Sequence, residues 1–142
     1  MRFVVAGFVA ASLAMAVTQP SPIAAATSCE RLSSLTLLDA TITSATTVPA
    51  GKFDRPGERG GIATFAILPA FCRVIAVLTP SADSHIEMEV WLPLEGWNGK
   101  FQAVGNGGWA GVISYTVTGR SLADALRHGY ATASTDTRSG GC

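Results

Sequence analysis

Between Lys100 and Ser134 the chain passes through a short apolar strand, a cluster of glycines, a helix and a second strand. Lys100 to Val104 (KFQAV) is the first strand, and it runs into Gly105-Asn106-Gly107-Gly108-Trp109-Ala110-Gly111. Ser121 to His128 (SLADALRH) reads as the helix. Ser121 and Asp124 have capping-box spacing, Leu122, Ala125 and Leu126 form an apolar face, and Gly129 stands where a helix stops. Tyr130 to Ser134 (YATAS) is a strand of small residues suited to a sheet centre. A strand, a crossover helix and a strand make a parallel pair, and parallel sheets carry helices on both faces. That order places the chain in the α/β class.

Upstream, Cys72 to Leu78 (CRVIAVL) and His85 to Leu92 (HIEMEVWL) are strands joined by Thr79-Pro80-Ser81-Ala82-Asp83, which predicts an antiparallel hairpin. In the second strand Ile86, Met88 and Val90 face one way; His85, Glu87 and Glu89 form the opposite, wet face. Thr41 to Val48 is β-branched and reads as a strand with one apolar and one hydroxyl face. Leu32, Leu35 and Leu38 have the spacing of a short amphipathic helix capped by Ser28. Pro49 to Gly61, rich in proline and glycine, reads as an exposed loop. The sum is a mixed sheet that begins with an antiparallel hairpin. A single crossover helix leaves one sheet face uncovered, so the chain reads as the front part of a larger α/β domain.

Apolar residues make up 48% and charged residues 14%, which supports a core and argues against disorder. The net charge is zero and the basic residues are scattered, which argues against a nucleic-acid partner. No C-x-x-C pair suggests zinc. At the start, Met1-Arg2 precedes a mostly apolar run from Phe3 to Val17, short of the roughly 20 residues that cross a bilayer. Pro20 and Pro22 follow, then Ala24-Ala25-Ala26. This is the shape of a signal peptide over residues 1–26, cleaved after Ala26, against the alternatives of a membrane anchor or a lipoprotein. The expected location is secreted or periplasmic, with no membrane attachment after cleavage. In that oxidising setting Cys29, Cys72 and Cys142 can form disulfides, and an odd count leaves one unpaired or paired outside the chain.

The glycine cluster has three readings. One is a tight turn. A dinucleotide fingerprint, Gly105-x-Gly107-x-x-Ala110, fails on context, because Gly111 to Thr118 is a poor helix former where the motif needs a helix to start. The third is an oxyanion-hole loop, whose backbone N–H groups receive a developing negative oxygen. In α/β-hydrolases that loop follows the third strand, and KFQAV is third counting from the hairpin. The nucleophile elbow would come one helix and one strand later, beyond residue 142.

"FCRVIAVLTPSADSHIEMEVWLPLEGWNGKFQAVGNGGWAG" followed by "GYATASTDT" resembles the tannase and feruloyl esterase family, and "SCERL" and "TITSATTVPAG" are similar too. The resemblance runs from about Cys29 to Thr137. It implies an α/β-hydrolase core with an inserted lid, and cleavage of aromatic-acid esters of the gallate and ferulate type by a Ser-His-Asp triad. The family's nucleophile lies in Cys-Ser-x-Gly-Gly. Neither that motif nor Gly-x-Ser-x-Gly occurs here, and Ser139-Gly140-Gly141-Cys142 has the letters in another order. Carried over by position, Gly107 and Gly108 are oxyanion-loop candidates. Trp109 either lines the acyl pocket or anchors the loop. Cys29 and Cys72 match a family disulfide, and Cys142 has no assigned partner.

Other polar residues are expected to be structural or solvated. His128 suits a helix C-terminus and His85 an exposed strand start; Glu87 and Glu89 belong to a solvated face rather than a catalytic carboxylate pair. Asp136 is not the triad acid, which follows the nucleophile in this fold. Residues 27–142 are therefore expected to be a partial α/β-hydrolase domain, a fragment of a secreted serine carboxylic-ester hydrolase that lacks the triad and is inactive alone. Its partner in full-length form is a small aromatic ester. It holds no metal or cofactor itself, the family's calcium belonging to the lid. The alternative is a non-catalytic secreted β-rich module that binds carbohydrate or protein through exposed Trp91, Trp97 and Trp109.

Overall fold

The computed structural model describes residues 28–56, 63–105, 111–116 and 119–136. Five strands form one mixed sheet: β1 (Ala40–Val48), β2 (Phe71–Leu78), β3 (Ile86–Pro93), β4 (Phe101–Ala103) and β5 (Ala131–Thr135). Their order across the sheet is β1-β2-β3-β5-β4. β1, β2 and β3 form an antiparallel meander, β5 runs antiparallel to β3, and β4 lies parallel to β5. The hairpin and the parallel pair are both present, and the strand latest in sequence sits between β3 and β4. Two short helices accompany the sheet: α1 (Ala63–Ala66) and the crossover helix α2 (Leu122–Arg127).

The signals for α2 translate directly into bonds. The Ser121 hydroxyl accepts from the Asp124 amide at 3.2 Å. At the other end Gly129 takes φ +77°, and a Cβ there would lie 2.6 Å from the Gly96 carbonyl oxygen. Only glycine meets both conditions. The face carrying Leu122 and Leu126 packs on one side of the sheet with Phe71, Trp91 and Val104. Phe53, Phe65 and Leu68 complete that layer, with the Phe53 ring 4.6 Å from Trp91.

The opposite layer is smaller. Cys29, Ala45, Cys72 and Val74 are buried there, with Leu32, Ile42, Val90 and Leu92 packed around them. A disulfide joins Cys29 to Cys72, with Cα atoms 5.5 Å apart. It pins a 3-10 helix, Cys29–Ser34, onto β1 and β2. Both faces of the sheet therefore carry cover, where a single crossover helix had implied one bare face.

Three local expectations change. The amphipathic helix is a 3-10 turn that ends at Ser34, and Leu35 and Leu38 are exposed. In β1 the register shifts between Ile42 and Ser44. That bulge inverts the alternation, so Ile42 and Ala45 share the inner face instead of lying on opposite ones. The Pro49–Gly61 segment is not simply an exposed loop, because Phe53 is buried among Phe65, Phe71 and Trp91.

Candidate functional site

The carboxyl ends of parallel strands are where α/β sheets place ligands. Here β4 and β5 end side by side, β4 leading through Val104 into the glycine cluster and β5 into Asp136. Gly107, Gly108 and Trp109 lie outside the described residues, as does Cys142; the segments flanking the cluster are described on both sides. Before it, the Val104 amide donates to the Ala133 carbonyl at 2.8 Å. After it, the Ser114 amide donates to Ser134 Oγ at 3.1 Å. Both ties reach β5, so the cluster starts and finishes at the carboxyl edge of the same strand.

The segment after the cluster is held further. Ser114 Oγ donates to the Arg120 carbonyl at 2.8 Å, and the Leu122 and Ala123 amides donate to the Ser114 and Tyr115 carbonyls at 2.9 and 3.2 Å. Those last two are amides that a helix start leaves without an intrahelical acceptor. Strand β5, the glycine-loop exit and the first turn of α2 are thus bonded into one unit.

Under that unit lies a buried ion pair. Glu89 is 3% exposed, and Arg73 makes a two-point contact with it: Nε donates to Oε2 at 2.9 Å and an Nη donates to Oε1. Trp91 Nε1 donates to Oε2 at 2.9 Å, and the Tyr115 phenol donates to Oε1 at 2.7 Å. Burial works against the Arg73 charge, but the bond and charge of Glu89 outweigh it and hold the guanidinium above its ordinary pKa. Burial pushes the Tyr115 phenol well above its ordinary value, and its bond to Glu89 pushes the same way. The wet face expected for His85, Glu87 and Glu89 therefore divides: His85 and Glu87 are exposed and Glu89 is enclosed. The reason is the facing strand, which sets Arg73 beside Trp91 and Ile75 beside Glu89 and so gives the carboxylate an anion-binding socket. An arginine and a glutamate on one face of a hairpin, flanked by a tryptophan, is the sequence signal that marks this socket.

Beside it opens a cavity of about 300 Å³, lined in part by Arg55, Glu87, Val112, Ile113, Tyr115 and Asp136. The Arg55 guanidinium stands 5.3 Å from the Tyr115 ring centroid. Asp136 is buried, and its Oδ1 accepts from the Glu87 amide at 2.7 Å, which ties the end of β5 to the start of β3. That bond gives Asp136 a structural task. His128 caps α2, its Nδ1 2.8 Å from the Asp124 carbonyl oxygen, and stays exposed. Trp97 is exposed, while Trp91 is fully buried. A binding face built from Trp91, Trp97 and Trp109 thereby loses Trp91, whose ring is committed to the core. Among the described residues no three His, Cys, Asp or Glu side chains gather where a metal ion could sit. No described helix is long and apolar enough to cross a membrane.

The comparisons with known proteins agree on one family. Residues 72–140 match the family model described as "Tannase and feruloyl esterase". An uncharacterized esterase of Xanthomonas campestris is 48% identical over 112 residues, covering 79% of this chain and 18% of its own length. Probable feruloyl esterase B-1 of Aspergillus oryzae is 36% identical over 111 residues, covering 72% and 19%. The crystal structure of feruloyl esterase B from Aspergillus oryzae superposes with a TM-score of 0.62 at 34% identity, over 76% of this chain and 20% of that one. The chain spans about a fifth of the length of these relatives. The glycine cluster that the sheet anchors lies within the matched residues, and by these matches the chain belongs to the tannase and feruloyl esterase family.

Proposed function

We propose that this chain forms the front of the α/β-hydrolase core of a secreted serine carboxylic-ester hydrolase acting on aromatic-acid esters of the ferulate or gallate type. The observation that carries the reading is the pair of ties from β5, Ala133 to Val104 and Ser134 to Ser114, that hold the glycine cluster at the sheet's carboxyl edge. An oxyanion donor requires backbone N–H groups held in a fixed direction, and flanking segments tied to one strand support that reading. In this reading a serine on chain beyond residue 142 attacks the ester carbonyl. One amide of Gly107 or Gly108 receives the negative oxygen of the tetrahedral intermediate. The alcohol leaves, and water releases the acid. Trp109 lines the acyl side. Residues 1–26 direct export and are removed after Ala26. The family's calcium is assigned to a lid outside this chain, and no step here passes through it.

The test is a graft. Residues 28–142 replace the matching segment of the Xanthomonas esterase, and hydrolysis of methyl ferulate and methyl gallate is measured. Gly107→Pro and Gly108→Pro each delete one N–H. One of the two should lower kcat by about 10²- to 10³-fold, the loss seen when a single oxyanion donor is removed. Unchanged kcat in both refutes the donor assignment. The 142-residue chain by itself should show no turnover above background, and hydrolysis that is lost on boiling refutes that part.

A further inference from the structure

We propose that Tyr115, held by the buried carboxylate of Glu89, is a positioning residue that fixes residues 111–116, the segment leaving the glycine cluster, against the sheet. The inference rests on the reading of that cluster as an oxyanion loop. It begins from an imbalance. A buried ion pair is rarely worth more to stability than well-packed apolar side chains of the same size. Glu89 and Arg73 could nevertheless be satisfied within the hairpin, where Arg73 makes both its bonds and Trp91 adds a third. The fourth bond leaves the hairpin. It comes from Tyr115, whose segment descends from the glycines, and it is a charge-assisted bond of 2.7 Å.

Tyr115 is also where the remaining ties converge. Its carbonyl accepts from the Ala123 amide, its neighbour Ser114 is bonded to Ser134 and Leu122, and its ring lies under Arg55. The ring is partly buried beside Phe53 and Trp91, so its place is set by packing, and the hydroxyl sets its depth. The carboxylate thus gives the loop exit one defined height above the sheet. Burial and the Glu89 bond both raise the phenol's pKa, which agrees with a hydroxyl that stays a donor.

The experiment uses the full 142-residue chain and needs no substrate, so its outcome is separate from that of the hydrolysis test. Tyr115→Phe keeps the ring and deletes the bond. Amide hydrogen exchange is compared with wild type at Ser114, Leu122 and Ala123, with the amides of β2, which is paired on both sides, as the internal standard. The expected result is about tenfold faster exchange at the three amides and no change in β2, the scale of one lost bond to a charged group. Equal exchange at the three amides, or the same acceleration everywhere, overturns the proposal. A second measurement is the tyrosinate absorbance of the folded chain, compared between wild type and Tyr115→Phe: the phenol that the variant removes should ionise above its ordinary value, and a Tyr115 step at or below that value overturns the proposal.

Discussion

The disulfide between Cys29 and Cys72 closes a loop spanning 43 positions, from the 3-10 helix to the start of β2. Deleting it with Cys29→Ala and Cys72→Ala leaves most of the surrounding layer in place: Leu32, Ile42, Val90 and Leu92 still pack, and Glu30 still accepts from the Thr47 amide and hydroxyl at 3.2 and 2.8 Å. The loss therefore falls chiefly on the unfolded chain, which regains the freedom of an open loop. Loop-closure entropy for that length gives about 4 kcal/mol at 25 °C. That is a large share of the roughly 5 to 15 kcal/mol that holds a typical domain. The measurement is urea unfolding of both proteins in a Cys142→Ala background, which removes thiol exchange. The open variant should have a lower midpoint and a steeper slope, because its unfolded state exposes more surface. A difference below about 1 kcal/mol, or an unchanged slope, would refute the entropic account.

Other outcomes follow from single residues. Glu89→Ala strands a partly buried guanidinium, a partly buried phenol and a buried indole N–H together, and should cost about 3 kcal/mol in the same assay. Gly129→Ala meets both a positive φ and a carbonyl oxygen at 2.6 Å, and should lower the melting temperature, whereas Gly119→Ala has open space and meets only the φ cost. The raised Tyr115 pKa gives a sign for alkaline stability. The folded state holds the phenol proton more tightly than the unfolded state, whose value is near 10.0, so this contribution is complete below pH 10 and is lost as pH rises beyond it. Melting temperature against pH should fall less steeply above pH 10 in Tyr115→Phe than in wild type.

The legible parts of the fold were those written in local chemistry. The Ser121 cap, the Gly129 stop and the alternation in β2 and β3 each name a backbone state without help from distant residues. The crossover order then forced the parallel pairing of β4 with β5. What the sequence hid depends on partners far along the chain. Glu89 alternates with Glu87 and looks wet until Arg73 and Tyr115 are placed on it. Phe53 lies among glycines, prolines and charges, yet four aromatic side chains draw it inside. Leu35 and Leu38 had helical spacing, but the 3-10 turn stops at Ser34 because Leu35 is extended. Of the candidate site, the glycine cluster was visible in its composition. Tyr115 was not, since nothing in its own neighbours shows the carboxylate beneath it.

The sheet's spatial order has a temporal side. Phe101–Ala103 leaves the ribosome before Ala131–Thr135, the strand it pairs with, and that strand also pairs with Met88–Trp91. For the time it takes to translate about thirty residues, at roughly 5 to 20 per second, the earlier strand waits with unpaired amides and an outward Phe101 ring. The segments on either side of the glycine cluster gain their bonds to that strand, Val104 to Ala133 and Ser114 to Ser134, only when that wait is over, so this corner of the sheet closes late.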